Sequence, residues 1–212
     1  MIRFLYKIVR FTLYPIIFCA NYMQNNFTNF FTPMNIGPVT TPEYSAFVKK
    51  NISKNEYVLD FGCGAGFFCN FFNNKKYLGV EINKSFVKTA KKKYRGYNFK
   101  LLDQKCLDDC RNKISLVFIN NVLHHLTDKQ IDEMFIFFKK KLGKNIKFLI
   151  IEPEFPRSFF SLQFFLHALD IGNNIMEKNE YLNIFKRYLL IKNCRIKKFG
   201  IANAVATNGL LK

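Results

Sequence analysis

The sequence contains no linker-like run rich in Ser, Gly or Pro, no internal repeat and no Cys-x-x-Cys pair. Repeat architectures and multi-domain strings are therefore excluded, and 212 residues fit one domain with some embellishment. The six cysteines (19, 63, 69, 106, 110 and 194) lack zinc-finger spacing to histidine. Cys63 and Cys69 flank a glycine-rich turn that a disulfide would obstruct, so the thiols are expected to be reduced and the domain cytoplasmic. Acids are scarce, 15 against 33 basic residues, leaving a charge of +18. Such an excess fits either a nucleic-acid or acidic-membrane surface or a compositional drift towards Lys, Asn, Ile and Phe at the expense of Ala and Gly. Lys91–Lys93, Lys139–Lys141 and Lys197–Lys198 are scattered over element ends rather than gathered into one arm. No apolar run reaches the ~20 residues needed to cross a bilayer.

The first twenty residues, MIRFLYKIVRFTLYPIIFCA, carry basic residues at 3, 7 and 10 and an apolar run broken by Pro15. Two readings are open: a helix packed on the domain or covering its substrate site, and a basic interfacial helix, which makes residues 1–22 a candidate for peripheral membrane contact at the inner face of a membrane. The chain divides into an N-terminal helical extension, 1–40, and a domain, 41–212.

In that domain helix and strand patterns alternate. A short helix is expected over 41–52 with Pro42 at its first position, then a buried strand over 57–61 and a helix opened by GFFCNFFNN (66–74). A strand over 77–82 precedes a helix over 83–96 capped by Asn83. Strands over 97–103 and 114–120 follow, the latter nearly all apolar. The clearest helix spans 127–144, with a Thr127/Gln130 capping box and a face of Ile131, Met134, Phe135, Phe138 and Leu142. A strand over 146–153, helices around 158–170 and 177–190, and two closing strands (CRIKKFGI, NAVATNGLLK) complete the chain. The fold class is α/β: a doubly wound, mostly parallel seven-stranded sheet, whose ligands bind beyond the carboxyl ends of the strands.

The glycine-rich turn lies in VLDFGCGAGFF, Val58 to Phe68. The dinucleotide pattern G-x-G-x-x-G fails, because Phe67 stands where the third glycine belongs. The phosphate-loop pattern also fails, since no lysine occurs from 61 to 74. What remains is Asp60 followed by Gly62, Gly64 and Gly66. An acid there repels a pyrophosphate and suits a cationic amine, such as that of S-adenosylmethionine (SAM). Glu81, 19 residues after Gly62, suits ribose hydroxyls, and Asp103, at the expected end of the third strand, suits an adenine amine. The candidate cofactor-binding residues are Asp60, Gly62, Cys63, Gly64, Gly66, Glu81, Ile82, Asp103, Gln104 and Asn120.

From about residue 40 onward the sequence resembles the class I SAM-dependent methyltransferases, the seven-stranded Rossmann-like family. VLDFGCGAG is similar to the family's first motif, YLGVEIN to its ribose-binding strand, FKLLDQ to its adenine-binding segment and ISLVFINNVLHHLTD to its fourth-strand motif. Ser115 stands where the family usually has an acid. The resemblance implies SAM as cofactor and antiparallel sixth and seventh strands.

It also places the methyl group near Asn121–His125. Two of the chain's three histidines lie here, and an imidazole suits removal of an acceptor proton. His125 is the first candidate for catalysis and His124 the second; one of them could instead support the cofactor loop. His167 is expected to pack. Ubiquinone-type O-methyltransferases carry two glutamates and a histidine that bind a divalent metal; those positions fall on Asn121, His124 and His125, so no metal is expected. The sequences of amide and RNA-cytosine methyltransferases are absent at the fourth strand. The expected acceptor is a small or lipid-like molecule methylated at oxygen; an RNA methyltransferase and a non-catalytic SAM-binding protein are the alternatives. Phe159, Phe160, Phe164 and Phe165 either line an apolar pocket or pack as core. Glu152 and Arg157 either contact the substrate or form an ion pair.

Overall fold

Val58–Phe61 (β1), Tyr77–Glu81 (β2) and Leu116–Asn120 (β4) bury every residue, as strands covered on both faces must. A computed structural model, which describes residues 1–26, 41–168, 170, 172, 174–200 and 202–212, arranges them with Asn98–Leu101 (β3), Lys147–Pro153 (β5), Leu189–Phe199 (β6) and Ala202–Leu211 (β7) in one sheet of order β3-β2-β1-β4-β5-β7-β6. β1 to β5 are parallel; β7 enters antiparallel between β5 and β6. Strand order reverses between β1 and β4, so their carboxyl ends open the crevice where such sheets hold ligands.

Helices cover both faces. On one face Asp128–Leu142 (α4) buries Ile131, Met134, Phe135 and Phe138. The Phe138 ring meets Phe61 at 5.0 Å and Phe148 at 5.5 Å, both edge-on. Tyr181, Ile184 and Phe185 of Lys178–Tyr188 (α6) join this cluster. The other face receives Tyr44 and Val48 of Pro42–Asn51 (α2) and Val87 and Ala90 of Lys84–Lys93 (α3). The expected stop and start signals operate locally. The Asn83 side chain accepts from Ser85 and Phe86 N–H, Thr127 and Gln130 close a capping box, and Gly143 ends α4 at φ 80°. Lys91–Lys93 and Lys139–Lys141 fall in last helical turns, where the helix dipole favours positive charge.

Three expectations are corrected. GFFCNFFNN forms turns, the 3₁₀ turn Cys69–Phe71 and the start of a second, Asn74–Lys76, rather than a helix. Phe, Asn and Cys are weak helix formers, and Phe72 instead stacks on Tyr77 and meets Phe118 edge-on. The third strand ends at Leu101, which moves Asp103 into the following turn. β6 begins at Leu189, directly after α6; as an edge strand it alternates irregularly between exposed and buried residues, so its periodicity is weak. Helical structure in the 158–170 and 177–190 regions is confined to Leu162–Ala168 (α5) and α6.

Ile2–Asn26 forms α1; the remainder of the expected extension, 27–40, lies outside the described residues. Tyr6 is buried between the rings of Phe155 (5.1 Å) and Phe164 (5.5 Å), and its hydroxyl donates to the His167 carbonyl at 2.8 Å. Arg3 pairs with Glu177 and Glu180 of the α6 entry. Among the described residues, no helix is long and apolar enough to cross a membrane. Phe138→Ala is expected to destabilise the domain by roughly 3–5 kcal/mol, read from the shift of its denaturant midpoint.

Candidate active site

Gly62, Gly64 and Gly66 adopt φ values of 73°, 53° and 84°, a region costly for side chains with a Cβ. Gly62 and Cys63 N–H both donate to the Val80 carbonyl, folding the loop across the end of β2. A Cβ on Gly62 would lie 2.6 Å from Val122 Cγ2, whereas one on Gly64 would meet nothing within 4 Å. The loop is thus pressed against the β4 exit on one side and open on the other.

Beside that opening stand two buried carboxylates. Asp60, 2% exposed, accepts from the Tyr77 hydroxyl at 2.7 Å. Glu81, 9% exposed, accepts from Gly64 N–H at 3.0 Å and Asn83 N–H at 2.9 Å, each oxygen keeping a further lone pair. Neither forms an ion pair among the described residues. Burial lifts the Asp60 carboxyl to about 7; the Tyr77 hydrogen bond opposes that rise and the nearby Glu81 adds to it. Two buried acids without a cation make a cradle that repels phosphate and welcomes positive charge. This fits SAM, with its ammonium and sulfonium, and not a dinucleotide.

Asn120, at the end of β4, accepts from the Tyr44 hydroxyl at 2.8 Å, while its Nδ2 is buried without a hydrogen-bond partner. A buried orphan donor calls for an acceptor. Ile82 is 76% exposed next to Glu81, an apolar platform at the mouth. Asp103 and Gln104 are also exposed, and Asp103 Oδ1 accepts from Lys105 N–H; Leu102 N–H donates to the Glu81 carbonyl and carries this turn alongside β2.

The other end of the crevice is built around Glu152, buried near the end of β5. Its carboxylate accepts from the N–H groups of Val122 (2.8 Å), Leu123 (2.9 Å) and His124 (3.4 Å) and from His124 Nδ1 at 2.9 Å. It does not pair with Arg157, which reaches Glu154 instead. The result is a tight turn, Leu123–His125, that buries His124 and leaves His125 exposed, their ring centroids 4.1 Å apart. His124 Nε2 faces Asp170 Oδ1 at 3.5 Å. Burial alone would pull the His124 imidazole down, but Asp170 and Glu152 outweigh it and hold it up at about 9. Burial would likewise raise Asp170, but His124 pulls it below the usual carboxylate range. Although part of the His125 surface reaches solvent, desolvation of its ring beside the turn, and then the charge on His124, lower its imidazole to about 4.

The chain returns over this turn. Asn174 N–H donates to the His124 carbonyl and its Nδ2 to the Leu126 carbonyl; a Cβ on Gly172 would lie 2.1 Å from His124 Cδ2. Arg10 of α1 donates to the carbonyls of His167, Asp170 and Gly172, which ties the N-terminal helix to the residues that lie against His124. His167 is buried in α5, its pKa lowered by burial to about 4. The four phenylalanines divide: Phe164 is fully buried against Tyr6, whereas Phe160 is 90% exposed.

Sequence reasoning missed Tyr44, Tyr77 and Asp170. The tyrosines read as apolar positions on a helix and a strand, and only the fold shows their hydroxyls reaching Asn120 and Asp60. Asp170 stands 45 residues beyond His125 in an irregular segment that no spacing rule marks.

Residues 59–145 match a family model described as a methyltransferase domain. Ribosomal RNA small subunit methyltransferase A of Mesomycoplasma hyopneumoniae is 29% identical over 90 residues, 41% of this chain and 35% of that protein. Malonyl-[acyl-carrier protein] O-methyltransferase of Hamiltonella defensa is 32% identical over 80 residues, 37% of this chain and 31% of that protein. The chain thus aligns with about a third of the length of these curated relatives. A solved SAM-dependent methyltransferase from Methanosarcina mazei shares the fold with a TM-score of 0.61 at 14% identity, over 78% of this chain and 96% of that one.

A carboxyl whose pKa is raised on folding binds its proton more tightly in the native state, so its contribution to stability falls as pH rises from about 4 through 7. Asp60→Asn is expected to remove that slope, at most about 1.4 kcal/mol per pH unit, and to leave the ligand-free variant more stable than the parent at pH 8. Denaturant midpoints of the two proteins across pH 4–8 check this.

Proposed function

We propose that the chain is a class I SAM-dependent methyltransferase that transfers a methyl group from SAM to an oxygen of a small or lipid-like acceptor, a reading supported by the methyltransferase-domain match over residues 59–145. The observation that carries the cofactor assignment is the pair of buried, uncompensated carboxylates beside the open glycine loop. When bound, SAM supplies a methyl group already activated on a sulfonium. Asp60 would hold the ammonium and Glu81 the ribose hydroxyls. Gly62, Cys63, Gly64 and Gly66 bring main chain close, and Asn120 offers its free Nδ2–H. Ile82, Asp103 and Gln104, exposed beside Glu81, would serve the adenine, the first through its apolar surface and the other two through polar acceptors.

At the acceptor end His124, fixed between Glu152 and Asp170, positions the turn. His125 projects from it as the group that acts on the acceptor hydroxyl proton. The apolar cover supports a lipid-like acceptor. Phe4, Ile8 and Phe11 lie one helical turn apart on α1, exposed by 68%, 45% and 83%, and Phe160 of the neighbouring segment by 90%. With Lys7 on the same helix and +18 overall, the surface suits an anionic bilayer at the cytoplasmic side, met through residues 1–22. The described cysteines are free, in keeping with a reducing compartment. The net charge and the similarity to an RNA methyltransferase favour RNA as the second reading; a SAM-binding protein without turnover is the third.

His125→Ala is expected to lower labelled-methyl transfer to lipid extracts by about 10²–10⁴-fold while leaving SAM affinity unchanged. Transfer only to RNA would replace the acceptor assignment, and SAM binding without transfer to any acceptor would support the third reading. Flotation with vesicles containing anionic lipid should be lost in the double variant Phe4→Asp, Phe11→Asp; flotation that persists would remove the membrane contact.

A further inference from the structure

We propose that His124, His125 and Asp170 form a binding site for one divalent cation of the zinc class, at the acceptor end of the cleft. Considered as Asn121, His124 and His125 alone, the turn offers too few ligands. The fold adds Asp170 from the returning segment, and the nearest ring nitrogens and carboxylate oxygen of the three residues then lie within 4.8 Å of one another.

The geometry of the first two ligands fits closely. Two donors on a tetrahedral ion with bonds of about 2.0–2.1 Å are separated by roughly 3.4 Å; His124 Nε2 and Asp170 Oδ1 are 3.5 Å apart. The opposite ring nitrogen of His124 rests on Glu152 at 2.9 Å. That bond keeps the Nδ1 proton in place and turns Nε2 towards the ion, the carboxylate–histidine–metal arrangement that strengthens a histidine ligand. Asp170 is held in turn by Gly172 N–H, and its loop by Arg10 and Asn174. Gly172 is required here, since a side chain would collide with the His124 ring. His125 is exposed and its ring makes no hydrogen bond among the described residues, so it is free to swing the short distance to the third position.

Two imidazoles and one carboxylate, with a fourth position open, match the ligand sets of catalytic zinc. They do not match magnesium or calcium, which require mostly oxygen. Arg10 opposes a cation here; Glu152 and Asp170 outnumber it. Resting on the methyltransferase reading, the open position takes the acceptor hydroxyl oxygen. Coordination there would lower the pKa of that hydroxyl and let its proton pass to water. In the metal-bound chain this replaces proton removal by His125, whose lone pair the ion then holds, so the base role of His125 belongs to the metal-free chain.

The test uses the full chain, stripped of metal and titrated with Zn²⁺ by calorimetry and with Co²⁺ by visible absorption. One ion per chain is expected, with the intense visible bands of four-coordinate cobalt and no thiolate-to-cobalt charge-transfer band. Glu152→Gln should weaken binding by about 10–100-fold. His125→Ala, at an exposed position that leaves packing intact, and Asp170→Asn should each weaken it by at least about tenfold. Absence of stoichiometric binding, an affinity unchanged in either His125→Ala or Asp170→Asn, or a thiolate band assigning the ion to cysteine would overturn the proposal. S-adenosylhomocysteine titrated into the same samples separates this outcome from failure of the cofactor site.

Discussion

Two carboxylates buried without a cation govern this molecule. Asp60 and Glu81 leave the ends of neighbouring parallel strands at the centre of the sheet, where each is nearly enclosed. Burying an unpaired acid is unfavourable, and the ligand-free chain contains the penalty in two ways. Tyr77 and two main-chain N–H groups share the charge, and burial keeps part of the Asp60 population protonated near neutral pH. The crevice is therefore less stable than it could be, and a positive charge beside the two acids would relieve it. Stability given up at a binding site in this way is a common companion of function.

The same economy of hydrogen bonds organises the other end of the crevice. One carboxylate, Glu152, takes four donors and so converts the exit of β4 into a turn of fixed shape. That turn buries one histidine and presents the other. Asn174 then bonds to it, and Arg10, from a helix at the far end of the chain, holds the carbonyls of Asp170 and Gly172. Arg10 ties the N-terminal helix to the carbonyl of Asp170, whose side chain faces His124, so that helix and its exposed apolar face are physically continuous with the histidine turn.

Much of this was legible beforehand, for physical reasons. Buried parallel strands are apolar nearly throughout, so β1, β4 and β5 stood out apart from the polar residues at their carboxyl ends, and caps such as Asn83 and Thr127 act within one turn of their own position. The glycine loop was legible because backbone at positive φ selects for one residue type. The remainder depended on contacts distant in sequence. GFFCNFFNN has helical length but its aromatics find better partners across the sheet. Glu152 was recognised as a strand-exit acid, yet its true partners, the amides of 122–124, become apparent only once β4 and β5 are neighbours. Asp170 gains meaning solely from the loop that Gly172 allows to lie on His124.

The most direct measurement is a pair of calorimetric titrations of the purified chain, one with SAM and one with NADH. Binding of SAM in the micromolar range or tighter with none of NADH, and loss of the SAM signal in Asp60→Ala and Glu81→Ala, is the result expected of an acidic cradle. Binding of NADH alone, or SAM affinity indifferent to both substitutions, would contradict the account.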